Sequence, residues 1–461
     1  MRPPLILLLL LSCIHALGQL IPNIPLPNAL FKSNIYEVKI KQNLDYQDSY
    51  VIGEPKFITN IKNEVVREAM SDFNHWTTFS FEGKPVSVEV TLKTQSIFSC
   101  EIFPNKEKIN ATISNGKAMF RVTKPNTKLY LLINGDEENP LFIFADPLEK
   151  NIPKPNDKGV LYYAKGRHNI GAKFNIPATI HTVYIENGAY LNGSFYAENR
   201  SDLTIRGRGI ISGDGLDFAE NTDGHDKQDN ISKSSICLNG KGQNIVIEGI
   251  TIMRPLKFSV VMRGSGHISN IKCFGWNYTV DGVVTGRYSV VENSFFKVND
   301  DVVKLYSDHI QVRNLVVYHQ TNGAVFQLGW SGQHAKNCLV ENIEVVKDET
   351  VNDSDLKGNH ALINWRKSTN TLCENMLFRN INADRGYCRL VGINLSEDSD
   401  GSLKNISIEN VRLSAQTYPN YARSKTGVIE ISMKNITIAG SCIDEKSFLK
   451  AGNVVLKNAC Q

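Results

Sequence analysis

An Asn followed by a short β-branched or apolar stretch returns eight times through the second half of the chain. It reads Asn244-Ile-Val-Ile, Asn270-Ile-Lys-Cys, Asn293-Ser-Phe-Phe, Asn314-Leu-Val-Val, Asn342-Ile-Glu-Val-Val, Asn380-Ile-Asn, Asn410-Val-Arg-Leu and Asn435-Ile-Thr-Ile. The spacings are 26, 23, 21, 28, 38, 30 and 25 residues. A loose period of this size, made of strand-like stretches with no marked helix, is what stacked β-coils produce. Apolar side chains of one coil then rest on those of the next, and Asn at the bends can hydrogen-bond along the stack. Insertions of varied length fall in the turns and make the period uneven. A large antiparallel sandwich is the competing architecture for the same pattern.

At 461 residues the chain exceeds what one ordinary compact core accommodates. From about residue 21 to 148 the pattern is different. Tyr36-Glu-Val-Lys-Ile, Val86-Ser-Val-Glu-Val-Thr-Leu, Lys117-Ala-Met-Phe-Arg-Val and Lys128-Leu-Tyr-Leu-Leu-Ile are short runs, mostly alternating, bounded by Gly, Pro and Asn. Such runs predict half-buried antiparallel strands, hence a β-sandwich. Asn151-Ile-Pro-Lys-Pro-Asn-Asp-Lys-Gly is the candidate linker. At the N-terminus, Arg2, the apolar block Leu5 to Leu11 and the small residues around Ala16-Leu17-Gly18 have the layout of a secretory signal peptide, too short to span a bilayer. The expected organisation is a signal peptide at 1–18, a β-sandwich at 19–152 and a coiled β domain at 153–461.

Secretion agrees with the cysteines. Cys13 leaves with the signal, and the remaining eight suggest disulfides, with the pairing open. None has the close spacing of a zinc site. Acceptor sequences for N-glycans occur at Asn110, Asn192, Asn199, Asn230, Asn277, Asn352, Asn394, Asn405 and Asn435, so a glycoprotein is expected. The mild net charge of +4, with no run of Lys and Arg, argues against a nucleic-acid partner. No later stretch has the ~20 apolar residues of a membrane helix.

Two stretches concentrate chemistry: Phe274-Gly-Trp-Asn-Tyr-Thr-Val-Asp-Gly-Val-Val and Val298-Asn-Asp-Asp-Val-Val-Lys-Leu-Tyr. They supply Trp276, Asp281, Asp300, Asp301, Lys304 and Tyr306. Asp281 and Asp300 lie 19 residues apart, close to one short coil, which places them on neighbouring rungs. Asp300 and Asp301 would face opposite ways on a straight strand, so both reach one surface only at a bend. Crowded carboxylates hold on to protons. Glycoside hydrolysis uses one protonated carboxyl and one ionised carboxylate in this way; a Ca²⁺ site or a plain acidic surface is the alternative. Lys304 can limit the repulsion. A third stretch, Asn322-Gly-Ala-Val-Phe-Gln-Leu-Gly-Trp330, falls one coil further on. Trp276, Tyr306 and Trp330 offer flat faces for sugar rings, and Asn322 and Gln327 offer amides for hydroxyls, with core packing as the competing role for each Trp.

At these residues the sequence resembles glycoside hydrolase family 49, the dextranase and isopullulanase family. The likeness rests on Trp276…Asp281-Gly, Asn299-Asp-Asp-Val-Val-Lys-Leu-Tyr and Asn322-Gly-Ala-Val-Phe-Gln-Leu-Gly-Trp. It implies an all-β chain, an N-terminal β-sandwich followed by a right-handed parallel β-helix. It further implies an inverting hydrolase of α-glucans acting as a monomer on a polysaccharide, with no cofactor and no metal. Asp300 would be the general acid, with Asp281 and Asp301 activating water. The pectin-cleaving family 28 is the nearest enzymatic alternative. It resembles Asn-Thr-Asp, Gly-His-Gly and Arg-Ile-Lys, whereas here Val280 precedes Asp281 and the latter two motifs are missing from the expected places. A non-catalytic glycan-binding or matrix protein on the same scaffold is the alternative from a different class.

Overall fold

The computed structural model describes residues 18–59, 65–214, 216, 234–350, 359–366, 371–395 and 401–459. Apart from Gly18, the leader read at 1–18 lies outside the described residues, as do Asn230, Asn352 and Cys460. Strands account for nearly all the regular structure, and the helical pieces among the described residues are single 3-10 turns. No helix among them is long and apolar enough to cross a membrane.

The first part is a sandwich of a six-stranded and a five-stranded sheet, all within residues 19–147. Tyr36–Lys41 and Val86–Leu92 bury alternate residues, so one face of each looks into the core and the other outward. Thr127–Ile133 breaks that rule and is buried along its whole length. Leu129, Leu131 and Ile133 enter the sandwich core, while Tyr130 and Leu132 join a second cluster with Phe274, Phe295 and Tyr318 of the other domain. This strand is therefore covered on both faces, which its mostly apolar composition permits. No strand occurs from 148 to 159, where Pro and Gly were read as a linker.

From Val160 to Ala459 the strands form one continuous parallel β-helix, pairing in parallel from coil to coil, with the short strand Ser441–Cys442 the exception in pairing antiparallel with Ile429–Ile438. One interior column runs Val183, Ile205, Ile247, Ile268, Val291, Val312, Val340, Phe378, Ile408 and Met433 in unbroken register. Each of these side chains is buried, which stabilises the stack by roughly 1.5–3 kcal/mol per residue. The eight repeating Asn residues all adopt positive φ, between 51° and 58°. Asn accepts this left-handed conformation at little cost, so the residue both turns the chain and projects its amide along the axis. Asn314, Asn342, Asn380, Asn410 and Asn435 each donate to the Asn of the preceding coil at 3.1–3.2 Å.

The expected disulfide framework is corrected. Cys100, Cys237, Cys273, Cys338, Cys373 and Cys388 are free thiols, while Cys442 is disulfide-bonded. Five of the six free thiols are buried, and Cys273, Cys338, Cys373 and Cys388 belong to the main apolar core of the helix. They act there as small hydrophobes.

Candidate active site

The chain bends at residues 299–302, between the strands Phe295–Lys297 and Val303–Leu305. Val298, Val302 and Val303 point into the core, leaving the bend to carry Asp300 and Asp301 outward. One rung earlier, Asp281 opens the strand Asp281–Thr285, and the Gly282 N–H donates to the Asp301 carbonyl at 2.9 Å. Three carboxylates thus converge, with one oxygen of each within 4.8 Å of the others. Asp281 and Asp301 are buried, and Asp300 alone is partly exposed.

Lys304 lies between the two buried acids. Its Nζ is 2.7 Å from Asp281 Oδ1 and also contacts Asp301 Oδ2. The cation held between Asp281 and Asp301 is therefore the protein's own ammonium. Asp301 is fixed further, its Oδ1 accepting the Ala324 N–H and the Asn359 amide, each at 3.0 Å. The Asp301 N–H donates to Asp300 Oδ1 at 2.9 Å. Gly323 makes this possible. It has φ +85°, and a Cβ there would lie 2.3 Å from the Asp300 carbonyl carbon and 2.5 Å from the Asp301 nitrogen.

Burial, then the charges of Asp281 and Asp301, push the Asp300 carboxyl well above the ordinary range. Burial pushes Asp281 up to about 7, with Lys304 opposing the rise and Asp301 adding to it. Burial alone would lower the Lys304 ammonium, but Asp281 and Asp301 hold it well above its usual value. The cluster thus favours the protonated form of the carboxyl that reaches solvent, the form a general acid requires. The same shifts predict a stability effect. Asp281 and Asp300 bind protons more tightly folded than unfolded, so the stability they contribute is present below about pH 4 and fades as the pH rises, for Asp281 through about 7. Thermal unfolding of Asp281→Asn should consequently lose less between pH 5 and pH 8 than the parent protein does. An equal loss in both would refute the assignment.

The remaining residues divide. Tyr306 flanks the cluster, its ring 5.7 Å from Lys304 Nζ and its buried hydroxyl without a hydrogen-bond partner. Trp330 is half-buried at the turn after the strand Ala324–Leu328. Three expected sugar contacts are instead internal. Trp276 is only 3% exposed, with the Lys297 ammonium 5.1 Å from its ring. Gln327 is fully buried, its amide donating to the Leu328 carbonyl at 2.9 Å. The buried Asn322 donates to the Tyr278 carbonyl at 2.9 Å and faces His360 Nε2 at 3.3 Å. Asn277 is also buried, so a glycan on it does not fit the folded chain. Sequence reasoning missed the roles of Asn299, Gly323 and Asn359. Asn299 and Gly323 stand inside the motifs, and Asn322-Gly323 is an ordinary turn signal.

No family model matches the chain. It is 26% identical over 282 residues to a dextranase of Arthrobacter globiformis, covering 54% of this chain and 44% of the relative. It is 22% identical over 381 residues to an isopullulanase of Aspergillus niger, covering 69% and 67%. The chain thus spans under half the length of the Arthrobacter globiformis enzyme and about two thirds of the isopullulanase. The fold matches Dex49A from Penicillium minioluteum with a TM-score of 0.78 at 17% identity, over 95% of this chain and 96% of that one. In its motifs, its relatives and its all-β architecture, the chain resembles glycoside hydrolase family 49, the dextranase and isopullulanase family.

Proposed function

We propose that the protein is a secreted glycoside hydrolase that cleaves α-glucosidic bonds in a glucan such as dextran or pullulan, working as a monomer with a sandwich at 19–152 and a catalytic β-helix at 153–461. The observation that carries the reading is the three-carboxylate cluster. Asp300 is the partly exposed member, and burial beside two acids raises its affinity for a proton. Asp300 donates its proton to the glycosidic oxygen as the bond breaks. Asp281 and Asp301, held by Lys304, orient the attacking water and take its proton.

The stereochemical course we assign is inversion by a single displacement. The oxygens within 4.8 Å of one another are closer than the ~6.5–9.5 Å common between acid and base in inverting enzymes. One feature favours inversion nevertheless: Lys304 ties down both candidate nucleophiles. Reducing-sugar release from dextran, pullulan, starch and polygalacturonate, with the anomer of the first product followed by NMR, tests both parts. Release from an α-glucan with inverted product is expected. Release from none of them leaves a glycan-binding or matrix protein, and a retained anomer overturns the single displacement.

Trp330, half-buried at the turn after the strand Ala324–Leu328, is the aromatic we assign to stack on a sugar. Trp330→Ala should raise KM about 3- to 10-fold with kcat little changed, since stacking of this kind contributes roughly 0.5–1.5 kcal/mol. An unaltered KM removes Trp330 from the cleft.

A further inference from the structure

We propose that Tyr288 and His309, with Arg287 and Asp308 at their rim, form a glucan-binding platform apart from the catalytic cluster, a second contact for the polysaccharide chain on the same two coils. The choice of ligand rests on the reading of the protein as an α-glucan hydrolase.

A second column of turns runs along the β-helix. The coil-to-coil register aligns Asp202 and Asn244 early in this column and Asn337, Asn375 and Asn405 late in it, with Ser265, Tyr288 and His309 between. All but Ser265 have positive φ, between 51° and 58°. The polar members bond along the axis: Asn244 donates to Asp202 at 3.0 Å, Asn375 to Asn337 at 3.3 Å and Asn405 to Asn375 at 2.8 Å. Tyr288 above all departs from this rule. A left-handed φ costs a large side chain more than it costs Asn, and a phenol carries no amide to continue the ladder. Tyr288 and His309 follow the strands Asp281–Thr285 and Val303–Leu305, on the two coils that carry the acids. A local rule broken there, where Asn would fold more easily, points to function.

What the departure supplies is a flat, exposed surface. The rings of Tyr288 and His309 stack at 4.6 Å and 10°, and Asn337 Nδ2 lies 3.4 Å from His309 Nε2, tying the stack to the Asn ladder. Tyr288 is nonetheless 63% exposed, the most exposed tyrosine among the described residues. With one face on His309, that exposure falls on the other face and the edges. The Arg287 guanidinium, 5.5 Å from the ring centre, pairs with Asp308 at 3.2 Å. An aromatic face suits the C–H face of a sugar ring, and the guanidinium and carboxylate offer donors and acceptors for its hydroxyls. Because Asp308 already neutralises Arg287, the rim suits a neutral polyol better than an anionic chain. The strand Asp281–Thr285 spans roughly 13 Å, so Tyr288 lies beyond the sugar at the acids and meets only a longer chain.

Tyr288→Asn and His309→Asn test this on the full chain, since each installs the ladder residue and should unfold at or above the parental temperature. Tyr288→Phe keeps the ring, and Tyr46→Asn, at an exposed tyrosine of the sandwich, is the control. Migration through native gels containing dextran, pullulan, starch or polygalacturonate measures binding, in an Asp300→Asn background so that the polymer survives. At least one α-glucan should retard the Asp300→Asn protein. Its apparent association constant should fall about 3- to 10-fold in Tyr288→Asn and stay near parental in Tyr288→Phe and Tyr46→Asn. In the active protein, Tyr288→Asn should raise KM for the polymer more than KM for a gluco-trisaccharide. Retardation that Tyr288→Asn leaves unchanged, that no glucan produces, or that only polygalacturonate produces overturns the proposal, as does an equal rise in KM on polymer and trisaccharide. Retardation that needs Tyr288 in a protein that hydrolyses no α-glucan removes the hydrolase reading and keeps the platform. Hydrolysis with retardation indifferent to Tyr288 does the reverse.

Discussion

Asp300→Asn should lower kcat on a polymeric α-glucan by about two to four powers of ten while leaving substrate binding within a few-fold of the parent value. Asn has the shape of Asp and offers an oxygen where Asp300 Oδ1 now accepts the Asp301 N–H, so the bend keeps its form. What disappears is the proton that burial and two neighbouring acids hold on this carboxyl. Leaving-group chemistry separates that loss from distortion. A gluco-oligosaccharide with a nitrophenolate leaving group needs little protonation and should be cleaved by the variant at a rate much closer to the parent's. Equal losses on the polymer and on the activated substrate would mean that Asp300 is not the acid.

Much of the scaffold was legible because its chemistry is local. The repeating Asn residues announce the coils, since Asn is the side chain that tolerates positive φ while carrying an amide to bond along the stack, and all eight adopt that conformation. The acids were legible for a similar reason. Two adjacent carboxylates between apolar residues that must point inward can only sit at a bend, and a 19-residue offset to Asp281 is about one short coil. Burial was the part that stayed hidden. Trp276 and Gln327 stand within the motifs and look like sugar ligands, yet one is buried with the Lys297 ammonium over its ring and the other bonds the backbone beside it. Cysteine parity misled because a free thiol fits an apolar column as well as a half-cystine fits a bridge.

Lys304→Met is the second substitution with a large expected effect, and it works through charge alone. Met keeps much of the length and apolar bulk of Lys304, whose Nζ lies 5.7 Å from the rings of both Phe258 and Tyr306, but it removes the cation between Asp281 and Asp301. Three converging carboxyls then lose the counter-charge that Asp281 and Asp301 share, with Lys257 left as the weaker cation acting on Asp281. Removing one partner of a buried ion pair destabilises by roughly 3–5 kcal/mol when the other partner stays charged. Here the acids can escape by taking up protons, so the loss in thermal stability should be larger at pH 8 than at pH 5. The activity profile follows with a definite sign. Lys304 lowers the proton affinity of Asp281, so without it the carboxylates that activate water ionise only at higher pH. The acid limb of kcat/KM should therefore move up by about 1–3 pH units, the scale of a close opposite charge, and turnover at neutral pH should fall by about two powers of ten or more. Lys304→Arg should not restore it, because the planar guanidinium cannot replace a compact ammonium shared by two acids. A Lys304→Met protein with the parental acid limb would show that the ammonium does not govern the protons of this cluster, and the division of roles among Asp281, Asp300 and Asp301 would fall with it.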